Sequence, residues 1–127
     1  MAKQAINPAS HFKASFFSQG LRVGNALHIS GQVGAIGGEV AGGGDDFAAE
    51  ARRALENIRT VVEEAGGAMS DVVRMTCFMT DMEQGRTLYP VIEEMFPGVK
   101  PAVTAIVVKS IGSPKYKLEI EATAVFE

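Results

Sequence analysis

Two glutamates near the C-terminus are the residues best suited to chemistry. Glu119 and Glu121 are two residues apart within 116–126, a run that alternates apolar and charged residues and therefore predicts a strand. Both carboxylates should project from the same face of that strand. In a partly desolvated cleft, the pKa of one would rise towards that of a usable proton acceptor. The alternative is that both lie at a solvated or salt-bridged edge, since polar alternation is expected on any half-exposed strand.

The histidines and the cysteine offer less. His11 and His28 are isolated in the sequence, whereas a metal site gathers about three or four His, Cys or carboxylate ligands. No metal site is therefore predicted, and both histidines are interpreted as structural or surface residues. Cys77 alternates with Met75 and Met79, which is typical of a small core residue rather than a nucleophile.

The glycine-rich segment 34–44 is the other motif that could bind a ligand. It has neither the Lys-Ser/Thr pair of a P-loop nor a complete G-x-G-x-x-G spacing before a helix. We interpret it as a flexible turn.

Composition limits the class of protein. The chain has 127 residues, 46% of them hydrophobic and 21% charged, as expected for one globular domain covering 1–127. The net charge of −3, with 12 scattered Lys and Arg residues, argues against nucleic acid as the main partner. No apolar run reaches the ~18 residues that span a bilayer, and the N-terminus does not resemble a signal peptide. We predict a cytoplasmic protein that is not bound to membranes.

Periodicity predicts the order β-β-α-β-α-β-β. An apolar stripe predicts a helix over 46–65, with Glu50 among the charged residues on its solvent-exposed side. An Asp81/Gln84 capping box predicts the start of a second helix. Pro90 should kink that second helix or lie in the first turn of a fresh one. The predicted strands cover 16–23, 26–32, 71–80, 101–108 and 116–126. Two helices on one face of this sheet would make a two-layer α/β sandwich.

The predicted strand 101–108 is apolar on both of its faces. A strand of this kind needs a covering layer on each side. The chain has too few helices to supply both layers, so we expect a second copy of the chain to cover the open face.

Several segments, taken in order, resemble the RidA/YjgF family. They are Ile29-Ser-Gly-Gln-Val, the helix 51–66, Asp71-Val-Val-Arg-Met-Thr-Cys-Phe-Met-Thr-Asp, Lys100-Pro-Ala-Val-Thr and Lys117-Leu-Glu-Ile-Glu-Ala. The resemblance implies a chorismate-mutase-like α/β fold assembled as a homotrimer, with a central β-barrel and three clefts at the subunit boundaries. It also implies hydrolysis of small enamines and imines, such as 2-aminoacrylate, to a keto acid and ammonia without a metal or organic cofactor.

Carried over by position, the resemblance implies roles for particular residues. The glutamate that handles water and protons corresponds to Glu119. Gly31 leaves room for ligand close to the backbone, and Phe17 takes the place of the aromatic, commonly tyrosine, that closes the pocket. Tyr89 takes the place of an asparagine near the start of the second helix.

The main departure is at Val103, which occupies the position of the arginine that grips the substrate carboxylate in active relatives. A nearby cysteine position is held by Ala105. A buried carboxylate without its cation has a desolvation penalty of several kcal/mol, so the ordinary 2-imino acids should bind poorly. Lys109, Arg22 or Arg74 could supply a replacement charge.

Three hypotheses follow. The leading one is a trimeric enamine or imine deaminase in which Glu119 acts as base and Phe17, Val103 and Ala105 form an apolar wall. The second is a non-catalytic protein that binds a small metabolite or a partner. The third, RNA cleavage, is least favoured because the chain is acidic and offers no histidine pair for acid and base chemistry.

Overall fold

The computed structural model describes residues 2–127, and in this range a six-stranded mixed sheet carries two helices on one of its faces. The helices are α1 (Phe47–Glu64) and α2 (Gly85–Met95). The strands are β1 (Lys3–Ile6), β2 (Gly20–Val23), β3 (Ala26–Val33), β4 (Ala35–Ile36), β5 (Glu39–Val40), β6 (Val72–Met79), β7 (Ala102–Val107) and β8 (Leu118–Val125). The large sheet has the order β1-β2-β3-β8-β6-β7, in which only β6 and β7 pair in parallel, and β4 and β5 form a separate hairpin. The predicted mixed sheet with two helices on one face is confirmed.

Helix α1 packs across the middle of the sheet, against β3 and β8. It begins where the side chain of Asp46 accepts a hydrogen bond from the Ala49 N–H at 3.1 Å. It ends before Gly66, whose φ of +94° suits glycine at a helix terminus. The fully buried side chains of Leu55, Ile58 and their neighbours form the predicted apolar stripe.

The prediction that Glu50 lies on the solvent-exposed side of α1 is wrong. Its side chain is completely buried, and its Oε2 accepts a hydrogen bond from the Lys117 N–H at 2.7 Å. Gly34 makes this burial possible, because a Cβ at residue 34 would lie 2.1 Å from the Glu50 carbonyl oxygen. The periodicity of α1 does not reveal this contact, since Lys117 lies far away in the sequence, just before β8.

A register shift in β6 changes which of its residues face the helices. The sequence pattern placed Val73 with Met75, Cys77 and Met79, but Val73 is 45% exposed and Val72 is buried instead. The pairing with β8 shifts between Val72 and Arg74, and such a bulge reverses the alternation at that point. From Met75 onwards the predicted faces are confirmed.

The N-terminal third differs most from the prediction. β1 was not predicted, and the predicted strand 16–23 is confined to 20–23. Residues 16–19 belong instead to a loop held by polar contacts, among them a hydrogen bond from the Gln19 N–H to Asn7 Oδ1 at 3.1 Å. The glycine-rich segment is not merely a turn, because Gly37 and Gly38, with φ of +60° and +81°, join β4 and β5 in a tight hairpin.

The second helix opens as predicted. The Asp81 side chain accepts from the Glu83 N–H at 2.9 Å, and Gln84 Oε1 accepts from the Asp81 N–H at 3.2 Å. Pro90, however, is the sixth residue of α2 rather than part of a first turn.

Strand β7 lies at the edge of the sheet and is largely uncovered. Val103, Ile106 and Val107 are 39%, 42% and 51% exposed, although they come from both of its faces. The chain therefore supplies no complete cover for this apolar strand, as expected if a second copy covers it. The homotrimer and its central barrel remain predictions.

Neither α1 nor α2 combines the length and the apolar character that a bilayer crossing requires, and no other helix within 2–127 does so.

Candidate active site

A β-bulge in β3 shapes the site. Ile29 pairs with Ala122 of β8 and Gln32 pairs with Ile120, so Ser30 and Gly31 together oppose the single residue Glu121. The bulge is anchored to the preceding loop. The Ser30 N–H donates to the Gln19 carbonyl at 2.9 Å, and the Ser30 hydroxyl donates to the Ser18 carbonyl at 2.6 Å. Bulges of this kind re-aim neighbouring side chains.

Gly31 lies directly beneath the side chain of Glu119. A Cβ at residue 31 would be 2.6 Å from Cδ and 2.9 Å from Oε1 of Glu119, which is closer than non-bonded atoms approach. The family resemblance implies that Gly31 leaves room for a ligand close to the backbone. In this structure that room is occupied by the carboxylate of Glu119 itself.

Glu119 is half-buried, whereas Glu121 on the same strand face is exposed. Both carboxylates point away from Leu118 and Ile120, which face the core, so the predicted shared face is confirmed. Burial raises the pKa of Glu119, and the charge of Glu121 raises it further. The Glu119 carboxylate forms no ion pair with any residue in 2–127, so it is free to interact with a small molecule.

A cavity of about 350 Å³ opens beside this carboxylate. Its walls come from the loop between β1 and β2, from β3, from the β4–β5 turn, from α1 and from β8. The residues most relevant to chemistry are His11, Phe17, Gln32, Asn57, Tyr116 and Glu119. No Lys or Arg of the described chain lines this cavity.

Three amide side chains, those of Gln19, Gln32 and Asn57, contribute polar groups to the wall. Gln32 Nε2 donates to Gln19 Oε1 at 2.8 Å, and Gln19 Nε2 donates to the Phe12 carbonyl at 2.6 Å. Asn57 Nδ2 donates to the carbonyls of Val33 and Ala35 at 3.0 and 2.9 Å. Because main-chain carbonyls can only accept, these bonds fix the orientation of the amides of Gln19 and Asn57.

Of the six residues predicted for the site, three meet at this cavity: Phe17, Gly31 and Glu119. Phe17 is 39% exposed, and its ring contacts that of Phe16 edge to face, with centroids 5.0 Å apart. Of the predicted apolar wall of Phe17, Val103 and Ala105, only Phe17 lines this cavity.

The other three predicted residues, Tyr89, Val103 and Ala105, lie outside this cavity. The pairing of the strands explains the separation. Met75 of β6 is the neighbour of Val103, whereas Phe78, on the opposite face of β6, is the neighbour of Glu119. Val103 and Glu119 therefore project from opposite faces of one sheet. Ala105 packs against the hydrophobic core.

The three basic residues considered as replacements for the missing arginine do not line the cavity either. Arg22 donates to the Ala65 carbonyl at 2.6 Å and stacks over the ring of Phe126. Arg74 donates to the Thr104 hydroxyl at 3.0 Å. Lys109 lies exposed beyond the end of β7.

His11 is a cavity residue that the sequence did not reveal. His11 is isolated in the sequence, yet the loop between β1 and β2 brings it into the same cavity as Glu119. Within residues 2–127 no group of three or more His, Cys, Asp and Glu side chains is arranged to hold a metal ion. Nothing in the local sequence around His11 marks it, because Asn57 and Glu119, which share the cavity with it, are remote in the chain.

Known proteins share the fold that contains this cavity. The family model described as Endoribonuclease L-PSP matches residues 5–126. A crystal structure of the YjgF gene product from Escherichia coli superposes with a TM-score of 0.88 at 32% identity, covering 98% of this chain and 99% of that one. The chain belongs to the RidA/YjgF family.

Other RidA/YjgF relatives are of similar size and have informative names. A 2-iminobutanoate/2-iminopropanoate deaminase from Escherichia coli strain K12 is 36% identical over 115 residues, covering 86% of each chain. A RutC family protein from Pyrococcus abyssi is 35% identical over 111 residues, covering 85% of this chain and 84% of that one. The structure of Escherichia coli TdcF with bound serine has a TM-score of 0.89 at 28% identity, covering 98% of this chain and 99% of that one.

Proposed function

We propose that this RidA/YjgF protein hydrolyses a small enamine or imine to a carbonyl compound and ammonia, with Glu119 as the base. The observation that carries the proposal is the Glu119 carboxylate, which is half-buried, lines a cavity and has no ion-pair partner within 2–127. The deaminase relative from Escherichia coli supports the reaction class.

The carboxylate can serve both halves of this reaction. As a water oxygen adds to the carbon of a protonated imine, Glu119 accepts one proton from that water, and a neutral carbinolamine forms. Glu119 then returns the proton to the nitrogen, and the C–N bond breaks. The remaining proton of the added water moves from the hydroxyl oxygen to the departing nitrogen. The products are a carbonyl compound and ammonium, and Glu119 ends ionised. The raised pKa of Glu119 brings its basicity closer to what these transfers need.

The substrate should lack the carboxylate of the 2-imino acids. The cavity within one chain has no Lys or Arg in its wall, and Val103 stands where the resemblance implies an arginine. Enclosing a substrate carboxylate beside Glu119 would bring two like charges together without a cation, which is unfavourable.

We further propose that the complete site forms between copies in a homotrimer. Val103 and Glu119 project from opposite sheet faces of one chain, so they could contact the same ligand only across a boundary between two chains. The exposed apolar residues of β7 support such a boundary. Sedimentation at micromolar concentration should give a trimer, whereas a well-folded monomer would contradict this assembly.

A second candidate is a binding protein without catalysis. It is favoured by the simultaneous presence of Phe17, Val103 and Ala105 at positions where the resemblance implies tyrosine, arginine and cysteine. A cleavage of RNA, suggested by the family description, has less support because the chain is acidic and His28 does not line the cavity with His11.

The test uses imines formed in solution by elimination of HCl from N-chloroamines, with ammonia release measured against the uncatalysed rate. The wild type should accelerate hydrolysis of at least one imine that lacks a carboxylate, and Glu119→Gln should lower that rate by about 10²- to 10⁴-fold. Glu93→Gln, an exposed position on α2, is the matched control. Equal rates for wild type and Glu119→Gln across the panel would refute catalysis by this residue. A compound that raises Tm but is recovered unchanged would favour the binding protein.

A further inference from the structure

We propose that His11 and Gln32 form an uncharged polar subsite that selects substrates carrying a primary carboxamide. This proposal rests on the proposed function and names its substrate class: an imine or enamine in which a carboxamide stands where a 2-imino acid has its carboxylate.

The first observation is an unsatisfied nitrogen. His11 lines the same cavity as Glu119, and its Nε2 is shielded from solvent with no hydrogen-bond partner among residues 2–127. Its Nδ1 lies 3.1 Å from the Ser10 hydroxyl. Buried polar atoms are nearly always paired, so an unpaired one at a cavity indicates a missing partner. In our proposal a ligand in the cavity provides that partner once the ring turns towards it.

The second observation is the orientation of Gln32. Its Nε2 donates to Gln19 Oε1 at 2.8 Å and to the Ser30 carbonyl at 3.1 Å. Since the Ser30 carbonyl can only accept, the Gln32 amide cannot be flipped without losing that bond. Both of its N–H groups are thereby used, and its carbonyl oxygen is left as the group available to a ligand. That oxygen can accept a hydrogen bond but would repel a carboxylate.

The third observation is that the pKa of His11 is lowered, which favours the neutral imidazole. Burial lowers the pKa of His11, and the positive charge of Arg53 lowers it further. The Asn57 main chain and the Gln32 side chain lie near the ring, outside normal hydrogen-bond geometry, and offset part of this lowering. Arg53 itself is bonded to Asn57 Oδ1 at 3.1 Å and does not line the cavity. A substrate carboxylate in this cavity would thus meet no guanidinium, and the lowered pKa disfavours the imidazolium that could attract it.

A primary carboxamide fits these groups. Its N–H₂ can donate to the Gln32 oxygen, and its remaining donor or its carbonyl can pair with His11 Nε2. Because the Ser10 hydroxyl can either donate or accept, both tautomers of His11 are accessible. A carboxamide, which both donates and accepts, satisfies either one. An ionised carboxylate can only accept, so it cannot bind the Gln32 oxygen at all.

The decisive comparison uses two imines of the same size. N-chloro-L-alaninamide loses HCl to give 2-iminopropanamide, whereas 2-iminopropanoate is generated from D-alanine and O₂ by a D-amino acid oxidase, with catalase present to remove the H₂O₂. We expect the wild type to have a kcat/KM for the amide at least tenfold above that for the acid. His11→Leu should lower the amide value about tenfold, the effect of one lost hydrogen bond, and leave the acid value unchanged. His28→Leu makes the same substitution on an exposed residue outside this cavity and should change neither.

Binding of the stable products tests the subsite without catalysis. Pyruvamide should shift the imidazole signals of His11 in NMR spectra of the wild type and bind more tightly than pyruvate. If no imine of the panel, these two included, is hydrolysed faster than in buffer, the proposed function fails, while tighter binding of pyruvamide at His11 would still support the subsite. Preference for pyruvate or 2-iminopropanoate would overturn the subsite, as would undiminished use of the amide by His11→Leu. Should that variant fail to fold, the wild-type preference and His11→Asn, which keeps a polar side chain, decide the question.

Discussion

The side chain of Glu119 fills the space that any residue other than glycine would need at position 31. A Cβ on Gly31 would lie 2.6 Å from the Glu119 Cδ and 2.8 Å from its Cγ. The β3 bulge therefore does more than bend the strand. At Gly31 it presents backbone without a side chain, and the Glu119 carboxylate packs against this backbone beside the cavity.

Gly31→Ala should displace Glu119 while leaving the fold intact, because the atoms in the way belong to the end of a flexible side chain. A misplacement of about 1 Å costs on the order of 10²-fold in rate, so kcat should fall by about that factor. Steady-state kinetics and a thermal melt measure the two effects. Gly98→Ala is the control, since a Cβ there meets nothing within 4 Å. Unchanged kcat in Gly31→Ala would show that the position of Glu119 is immaterial.

Glu121→Gln should shift the pH dependence of the reaction. The charge of Glu121 contributes to raising the pKa of Glu119, after the larger effect of burial. Removing that charge lowers the pKa of Glu119, so more of the active ionised base is present at acidic pH. The acid limb of kcat/KM against pH should move to lower pH. A profile that stays in place, or that moves to higher pH, would contradict the coupling of the two carboxylates.

Glu119→Gln should change stability in a pH-dependent way. The pKa of Glu119 is higher in the folded chain than in the unfolded one, so folding favours the protonated form. The stability associated with this group is present below its unfolded pKa and is lost as pH rises through its folded pKa. The Gln variant should therefore gain stability relative to wild type at neutral pH, but not near pH 4. Urea unfolding at both pH values measures the difference, which would be constant if Glu119 did not titrate differently on folding.

Gly34→Ala should destabilise the fold strongly. The new Cβ would lie 2.1 Å from a backbone oxygen of Glu50 in the first turn of α1, where the backbone cannot yield as a side chain can. Overpacking of this kind costs about 1–3 kcal/mol or more in the free energy of unfolding. Chemical denaturation compared with Gly98→Ala provides the measurement. A loss no larger than that of the control would mean that α1 can move away from β3 at no cost.

Val103→Arg should restore use of a carboxylate substrate if the proposed assembly is correct. Val103 is 39% exposed at the sheet edge, so an arginine can be accommodated without overpacking the core. Its guanidinium would offer the carboxylate two parallel hydrogen bonds. The kcat/KM for 2-iminopropanoate should rise at least tenfold, while Val99→Arg, at a position 96% exposed, should have no effect. An identical response to both substitutions would place Val103 outside the site.

Local patterns in the sequence predicted much of this protein. The apolar stripe of α1, the capping box at Asp81, the alternation of β8 and the shared face of Glu119 and Glu121 each depend on residues close in the chain. Side-chain direction follows directly from helical or strand spacing, so these features needed no knowledge of distant contacts. The ordered resemblance to the RidA/YjgF family added the fold.

Tertiary structure alone decided the rest. The bulges at Ser30–Gly31 and in β6 change which face of the sheet the neighbouring residues occupy. The periodicity of the sequence does not indicate either bulge. Glu50 is buried because Gly34, between β3 and β4, has no side chain, and His11 reaches the cavity of Glu119 from the opposite end of the chain. Strand order also put Val103 and Glu119 on opposite faces of the sheet. Such relations depend on which segments pack together in space, and spacing within a segment carries no information about its distant neighbours.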